Sequence, residues 1–424
     1  MQSTLLTEAA APPSRTQIES LSLEGVNPAD PQWFVDDTIG DLLGRLRRED
    51  PVHRSHSPVP GIGDYWSVLR YRDIMHVEMH PDIFSSDWSR GGITLMDFPP
   101  GEQQLQMFIA MDPPKHDEQR KVVSPIAAQA NLDGWESLIR ERTCKVLDGL
   151  PRGETFDWVD RVSIELTAMM LATLFDFPQE ERRRLTFWSD IATSNKLTNP
   201  DAPEPEVRMA ALREMLGFFT KLWNERVNAP PRPDLVSMLA HSPTTRNMSP
   251  LEYMGNLVLL IVGGNDTTRS TMTGGLLAML NNPGEMKKLR ADPSLIGSMI
   301  TEVIRWQTPL AYMRRTATQD TELGGKKIRQ GDKLALWYLS ANRDDAMIKQ
   351  PDEFIIDRPM PRLHLSFGFG IHRCVGNRIA DLQLRVLWEE LLRRGMQIEL
   401  MSEPKRVRSS FVHGFTQMPV RIVG

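Results

Sequence analysis

Cys374 stands in the stretch Phe367-Gly368-Phe369-Gly370-Ile371-His372-Arg373-Cys374-Val375-Gly376, where residue types and spacing force a chemical reading. Its glycines lack a Cβ, so the backbone can turn tightly and approach a flat partner closely. Asn377 to Leu384 reads as a helix start, which sets Cys374 just ahead of a helix N-terminus. The dipole and free N–H groups there favour a thiolate, and a thiolate with donors aimed at its sulfur suits a soft metal. Taken by itself, a lone cysteine in such a turn is more often a buried, inert side chain.

A second constellation is Gly263-Gly264-Asn265-Asp266-Thr267-Thr268. It lies inside an apolar helical pattern that opens at Ser249-Pro250-Leu251-Glu252 and stops at Asn281-Asn282-Pro283. Ser249 can cap, Pro250 suits the first helical position and Glu252 completes a capping box. Some thirty residues at ~1.5 Å each make a helix of about 45 Å, enough to cross a domain. Leu257 to Val262 is apolar all round, so burial on every side is expected. In that setting each glycine costs about 1 kcal/mol against alanine, and an unpaired aspartate is expensive. The Thr267 hydroxyl can take the Gly263 carbonyl, four residues back, and loosen the helix. A small-residue helix crossing explains the glycines but not the acid and alcohol beside them. Glycines leave room for a diatomic ligand and water, and a carboxylate next to a hydroxyl can pass protons into a dry cavity.

Three weaker signals are charged. His116 and Arg120 are four apart on a predicted helix from Lys115 to Ala130 and share a face, a pattern that is usually just solvated. Glu302 and Arg305 are three apart on another helix, and Arg358 follows in Asp352-Glu353-Phe354-Ile355-Ile356-Asp357-Arg358. Arg314 and Arg315 open a strand-like run in which alternation turns only one of them inward.

The elements that must carry these groups are mostly helical. Helices are expected over Trp33–Asp50, Tyr71–His80, Glu136–Leu150, Val159–Phe175, Gln179–Thr193 and Glu206–Val227, with strands at Tyr65–Leu69 and Lys333–Leu339. The loop Phe84–Gly101 carries Trp88, Ile93, Leu95, Met96 and Phe98, more apolar bulk than an exposed loop holds, and either folds over a pocket or is a plain packed loop. Asn199 to Pro205, with three prolines, fits either a simple surface connection or a lid, and Phe411, Val412 and Phe415 fit a tip reaching inward. No linker or repeat divides the 424 residues. A net charge of −5 without a basic stripe argues against nucleic acid. Two distant cysteines, Cys144 and Cys374, make no disulfide framework and fit a reducing, cytoplasmic setting. No signal peptide and no membrane span are expected.

F-G-x-G-x-H-x-C-x-G resembles the haem-ligand loop of the bacterial cytochrome P450 family. H-x-x-x-R, G-G-x-D-T-T and E-x-x-R precede it in that family's order, and the resemblance covers Trp33 to Gly424. It implies a mainly α fold with a small β region around one buried haem, in a single haem-thiolate monooxygenase domain over 31–424 behind a flexible arm, 1–30. It implies haem b (iron protoporphyrin IX) with Cys374 as the axial ligand of iron, in a loop shaped by Phe367 and Gly376. His372, Arg315, His116 and Arg120 would neutralise the propionates. Asp266 and Thr267 would deliver protons as O2, the co-substrate, is activated. Glu302, Arg305 and Arg358 would be structural and hold the cysteine loop.

With no fused flavin or iron–sulfur region, the resemblance implies NAD(P)H electrons arriving through a reductase and an iron–sulfur ferredoxin. Arg373, Arg378 and Lys121 would form the docking patch. The long-helix motif and the cysteine region look like the soluble bacterial branch that hydroxylates medium-chain alkanes and fatty acids at the chain end. Such attack needs a narrow apolar channel, with Ile93, Leu95, Leu259, Val262, Leu310 and Phe411 as candidate walls. A terpenoid or steroid is the alternative apolar substrate. A peroxide-driven enzyme or a non-catalytic haem sensor would not need the acid–alcohol pair.

Overall fold

Ser249 starts the longest helix as its sequence demands. In the computed structural model, which describes residues 12–97 and 105–423, this helix runs Pro250–Asn281. Ser249 Oγ accepts from the Glu252 N–H at 3.2 Å. Glu252 does not close the expected capping box. Its carboxylate turns to the neighbouring helix Lys115–Val123, where it bonds Gln119 and lies 3.0 Å from Lys115 Nζ.

The long helix is packed by Arg183–Thr193, Glu165–Phe175 and Ile296–Gln307. Small residues permit the close crossings: a Cβ on Gly275 would lie 2.7 Å from Val303, and one on Gly264 2.7 Å from Leu171. One apolar core, containing Phe175, Trp188, Phe219 and Leu257, lies against its first half. A second, containing Met272, Leu276, Val303 and Leu387, lies against its second half. The cysteine-side helix, Asn377–Arg393, contributes to both through Ile379, Leu382 and Leu387.

The β region is small. Among the described residues its largest sheet has the strand order Val52–Ser57, Gly63–Val68, Lys333–Leu336, Met313–Ala317, Phe84–Ser85. Gly63–Val68 and Lys333–Leu336 pair in parallel, and Arg315 sits opposite Leu334. The last predicted strand stops early because Tyr338–Ala341 turns into a short helix.

Several predicted boundaries shift for local reasons. The pattern Trp33–Asp50 splits into Gln32–Val35 and Ile39–Glu49, with Asp37 between them at φ +55°. The helix Lys115–Ala130 stops at Val123, and Ser124–Ala127 continues as a 3-10 turn around Pro125, which has no N–H to give. Within the expected arm, 1–30, residues 12–30 are docked. Ser14 and Gln17 form a capping box for Arg15–Ser20, Ile18 is fully buried, and Arg45 Nη1 bonds the Ile18 and Leu21 carbonyls at 2.6 and 2.7 Å. An apolar residue and two carbonyls that find partners outweigh the arm's polar composition. Residues 1–11 and Phe98 lie outside the described residues. No helix among the described residues is long and apolar enough to cross a membrane.

Candidate active site

The cysteine loop is closed by the Cys374 N–H, which donates to the Phe367 carbonyl at 2.8 Å. Gly368 and Gly370 hold φ +67° and +62°, values that a side chain would resist. Helix Asn377–Arg393 begins just beyond, and the Gly376 N–H bonds the sulfur. Cys374 keeps exposed surface although protein surrounds it densely. That surface is therefore the wall of an internal recess. Burial pushes the thiol up by more than the Gly376 N–H, Arg120 and Arg373 draw it down. A metal bound to the sulfur would favour the thiolate beyond what these donors supply.

Basic groups converge beside this recess. The His116 and His372 rings lie 4.3 Å apart between centroids. His116 Nδ1 is 2.7 Å from Asp117 Oδ1, but its Nε2 and both ring nitrogens of His372 are buried with no partner. Burial depresses the His372 imidazole well below its usual value, and Arg315, His116 and Arg120 depress it further. Arg120 donates to the Arg373 carbonyl and so ties the helix Lys115–Val123 to the loop. Arg314 and Arg315 separate as alternation requires. Arg314 turns to the loop after Phe84–Ser85, bonding Asp97 at 2.5 Å and the Arg90 carbonyl at 2.9 Å, whereas Arg315 lies near His372. Orphaned imidazole nitrogens among guanidinium groups are what the carboxylates of an external group would satisfy.

The long helix stays continuous through its glycines. Thr267 Oγ1 donates to the Gly263 carbonyl at 2.8 Å. Leu259, Gly263 and Thr267, four apart on one face, keep accessible surface in a mostly buried helix, and a Cβ on Gly263 would meet nothing within 4 Å. Asp266, about 100° further round the helix, points to Arg183–Thr193. It accepts from Ser189 at 3.1 Å, Asn265 at 2.8 Å, Arg269 at 3.0 Å and Thr193 at 3.5 Å. Burial pushes its carboxyl up by more than Arg269 holds it down. Arg269 also reaches Asp190 at 2.9 Å, and the Asp190 side chain is 53% exposed. Polar groups thus run from the surface to Asp266, one residue from the open face. Sequence reasoning missed Arg269, Ser189 and Asp190. Arg269 alone had a readable signal, its i,i+3 spacing from the acid.

Behind the loop, Glu302 and Arg305 are fully buried. Arg305 grips Glu302 twice, at 2.8 and 2.7 Å, and Arg358 does so at 3.1 and 3.2 Å. The Ile355 N–H adds a fifth bond at 2.9 Å. Burial alone would raise the Glu302 carboxyl, but the pairing with Arg305, the Ile355 N–H and Arg358 outweighs it and holds the group below its usual value. Arg305 Nη1 also bonds the Asn342 carbonyl at 2.8 Å. The Asn342 side chain binds the Leu365 N–H at 2.7 Å and Ser366 Oγ at 2.8 Å, next to Phe367. The three residues thus brace the loop's entrance through Asn342, which sequence did not single out.

Of the candidate walls, Leu259, Val262, Ile93, Leu310 and Phe411 keep accessible surface. Leu310 and Val412 form an isolated bridge that brings the C-terminal tip to the sheet. Leu95 does not belong with them. It is fully buried in the core with Tyr312 and Trp337, so it offers no surface to a ligand.

The model of the family "Cytochrome P450" matches residues 67–420. Linalool 8-monooxygenase of Pseudomonas putida is 35% identical over 405 residues, covering 93% of this chain and 98% of that protein. The methyl-branched lipid omega-hydroxylase of Mycobacterium tuberculosis is 31% identical over 425 residues, covering 96% of each. The structure of cytochrome P450-153 from Novosphingobium aromaticivorans superposes with TM-score 0.87 at 48% identity, covering 93% of this chain and 99% of that one. The chain belongs to the cytochrome P450 family and is a monooxygenase. Its cofactor is haem b, used with O2 and with NAD(P)H electrons delivered by redox partners. The recess wall at Cys374 and the orphaned nitrogens of His116 and His372 fit that group. When bound, haem supplies the redox chemistry that activates O2 for insertion into a C–H bond.

Proposed function

We propose that this monooxygenase hydroxylates the terminal carbon of medium-chain alkanes or fatty acids. The observation that carries this reading is the apolar surface left by Leu259, Val262, Ile93, Leu310 and Phe411, which come from four separate parts of the chain. An extended hydrocarbon can cover such surface without burying a polar group. The omega-hydroxylase relative is named for attack at a chain end. Linalool 8-monooxygenase favours the second reading, a terpenoid. Spectral titration with a chain-length series of n-alkanes and fatty acids, followed by product analysis, tests the two. Tight binding that peaks at one chain length, with a primary alcohol as product, is expected. Tighter binding of monoterpenes and no terminal product would overturn it.

In this reading the residues divide the work. Cys374 holds the iron, and Arg315, Arg120, His116 and His372 hold the propionates. Thr267 orients a proton donor at the open face of the long helix. Asp266, held in place by Arg269 and Ser189, passes protons inward to that face. The reaction runs in the cytoplasm, with a ferredoxin and its reductase as partners. Arg373, Arg378 and Lys121 are all exposed, and they form a basic docking patch within a chain of net charge −5. Charge reversal of Arg378 and Lys121 should slow reduction by a ferredoxin and leave substrate affinity unchanged. An unaltered reduction rate would remove the patch from the account.

A further inference from the structure

Arg315 already has a partner within the chain. Its Nη2 lies 3.3 Å from Oε1 of Glu78, a side chain of the helix Tyr71–Met79 whose other buried positions include Tyr71, Ile74 and Val77. Oε1 also accepts from the Tyr338 hydroxyl at 2.5 Å, and the carboxyl takes the Phe369 N–H from the cysteine loop. Its second oxygen, Oε2, is buried and has no partner. The loop fits closely over this acid. A Cβ on Gly368 would lie 3.6 Å from Oε1, and one on Gly370 would run into the Glu78 carbonyl.

Packing alone does not call for a carboxylate here. A leucine would fill the position, whereas a buried acid is costly unless it is paired. We propose that Glu78 is a tuning residue: by sharing Arg315 with the haem propionate, its negative charge limits how much of the guanidinium charge the haem feels, and so lowers the reduction potential of the iron. The inference rests on the placement of haem beside Arg315. The reason is electrostatic. Reduction adds an electron to the haem, and a buried anion nearby disfavours the added charge with little screening. Burial pushes the carboxyl up by more than Arg315, the Tyr338 hydroxyl and the Phe369 N–H hold it down, so the charge rests on the guanidinium 3.3 Å away, which favours the ionised form.

The test is the midpoint potential of the haem-loaded protein. E78Q keeps the shape and removes the charge, and E78D restores the charge. With the carbon-monoxide spectrum of thiolate ligation intact, E78Q should shift the potential to a more positive value, and E78D should stay closer to the wild type. An unmoved potential in E78Q, or equal shifts in both variants, would show a packing role and overturn the proposal. Absence of the thiolate spectrum in the wild type would instead refute the placement of haem. If E78Q does not retain haem, reduction of the wild type labelled with ¹³C-glutamate gives an infrared difference spectrum. A glutamate carboxyl band that moves on reduction is expected, and no such band would overturn the proposal.

Discussion

Replacing Glu302 with alanine should nearly abolish the folded, haem-loaded protein. The carboxylate is fully buried and takes paired bonds from Arg305 and Arg358 and one from the Ile355 N–H. Removing one partner of a buried ion pair costs about 3–5 kcal/mol, because the other charge stays buried and unpaired. Here two guanidinium groups are stranded, and an unsatisfied buried N–H adds about 1–3 kcal/mol. A loss of roughly 5 kcal/mol or more would consume much of the ~5–15 kcal/mol that a folded protein has in total. Urea unfolding followed by tryptophan fluorescence, with haem-loaded yield as a companion, measures it. The cost should come from stranded charge, so replacing Glu302, Arg305 and Arg358 together by methionine should recover part of it. A Glu302→Ala variant within about 1 kcal/mol of wild type, below the range for breaking a buried pair, would refute the reasoning. So would a triple variant less stable than the single one.

Thr267→Ala should leave substrate binding intact and lower product formed per NAD(P)H oxidised, because the open face loses its hydroxyl; an unchanged yield would remove Thr267 from the proton route. Glu390 ties Asn377–Arg393 to Gln129–Asp148: burial would raise its carboxyl, but Arg393, Arg140 and Arg394 bring it down to about 2. Its folded value is depressed, so the stabilisation is fully present above the unfolded value near 4.5 and lost as pH falls towards 2. Glu390→Gln should therefore cost on the order of 3 kcal/mol at pH 7, and urea midpoints of the two proteins should converge as pH falls below 4.5. Gly255→Ala should cost about 1–3 kcal/mol in the same assay, because a Cβ there would strike the Gln106 backbone.

The parts of the site set by local rules could be read from the chain. The cysteine loop, the Gly263–Thr267 hydroxyl bond and the Glu302–Arg305 pair each follow from spacing of four residues or fewer, or from glycine geometry. Contacts made across the fold could not be read that way. A helix apolar all round gives no clue to which face meets a cavity, so Asp266 could not be seen to turn towards Ser189 and away from Thr267. Nothing in the helical pattern Tyr71–His80 marks Glu78, because its partners Arg315 and Tyr338 lie more than two hundred residues away. Leu95 could not be told from a pocket wall, since an apolar side chain in a loop serves either purpose until its neighbours are known. Residues 12–30 read as loose because Ile18 gives no sign of the Arg45 side chain that fixes its carbonyl.

The reduced, carbon-monoxide-bound spectrum of the haem-loaded protein tests the central claim most directly. Ligation of iron by the Cys374 thiolate predicts the strongly red-shifted Soret band of that ligand, lost in Cys374→Ala. A band at the position given by a nitrogen ligand, or a red-shifted band that survives Cys374→Ala, would contradict it.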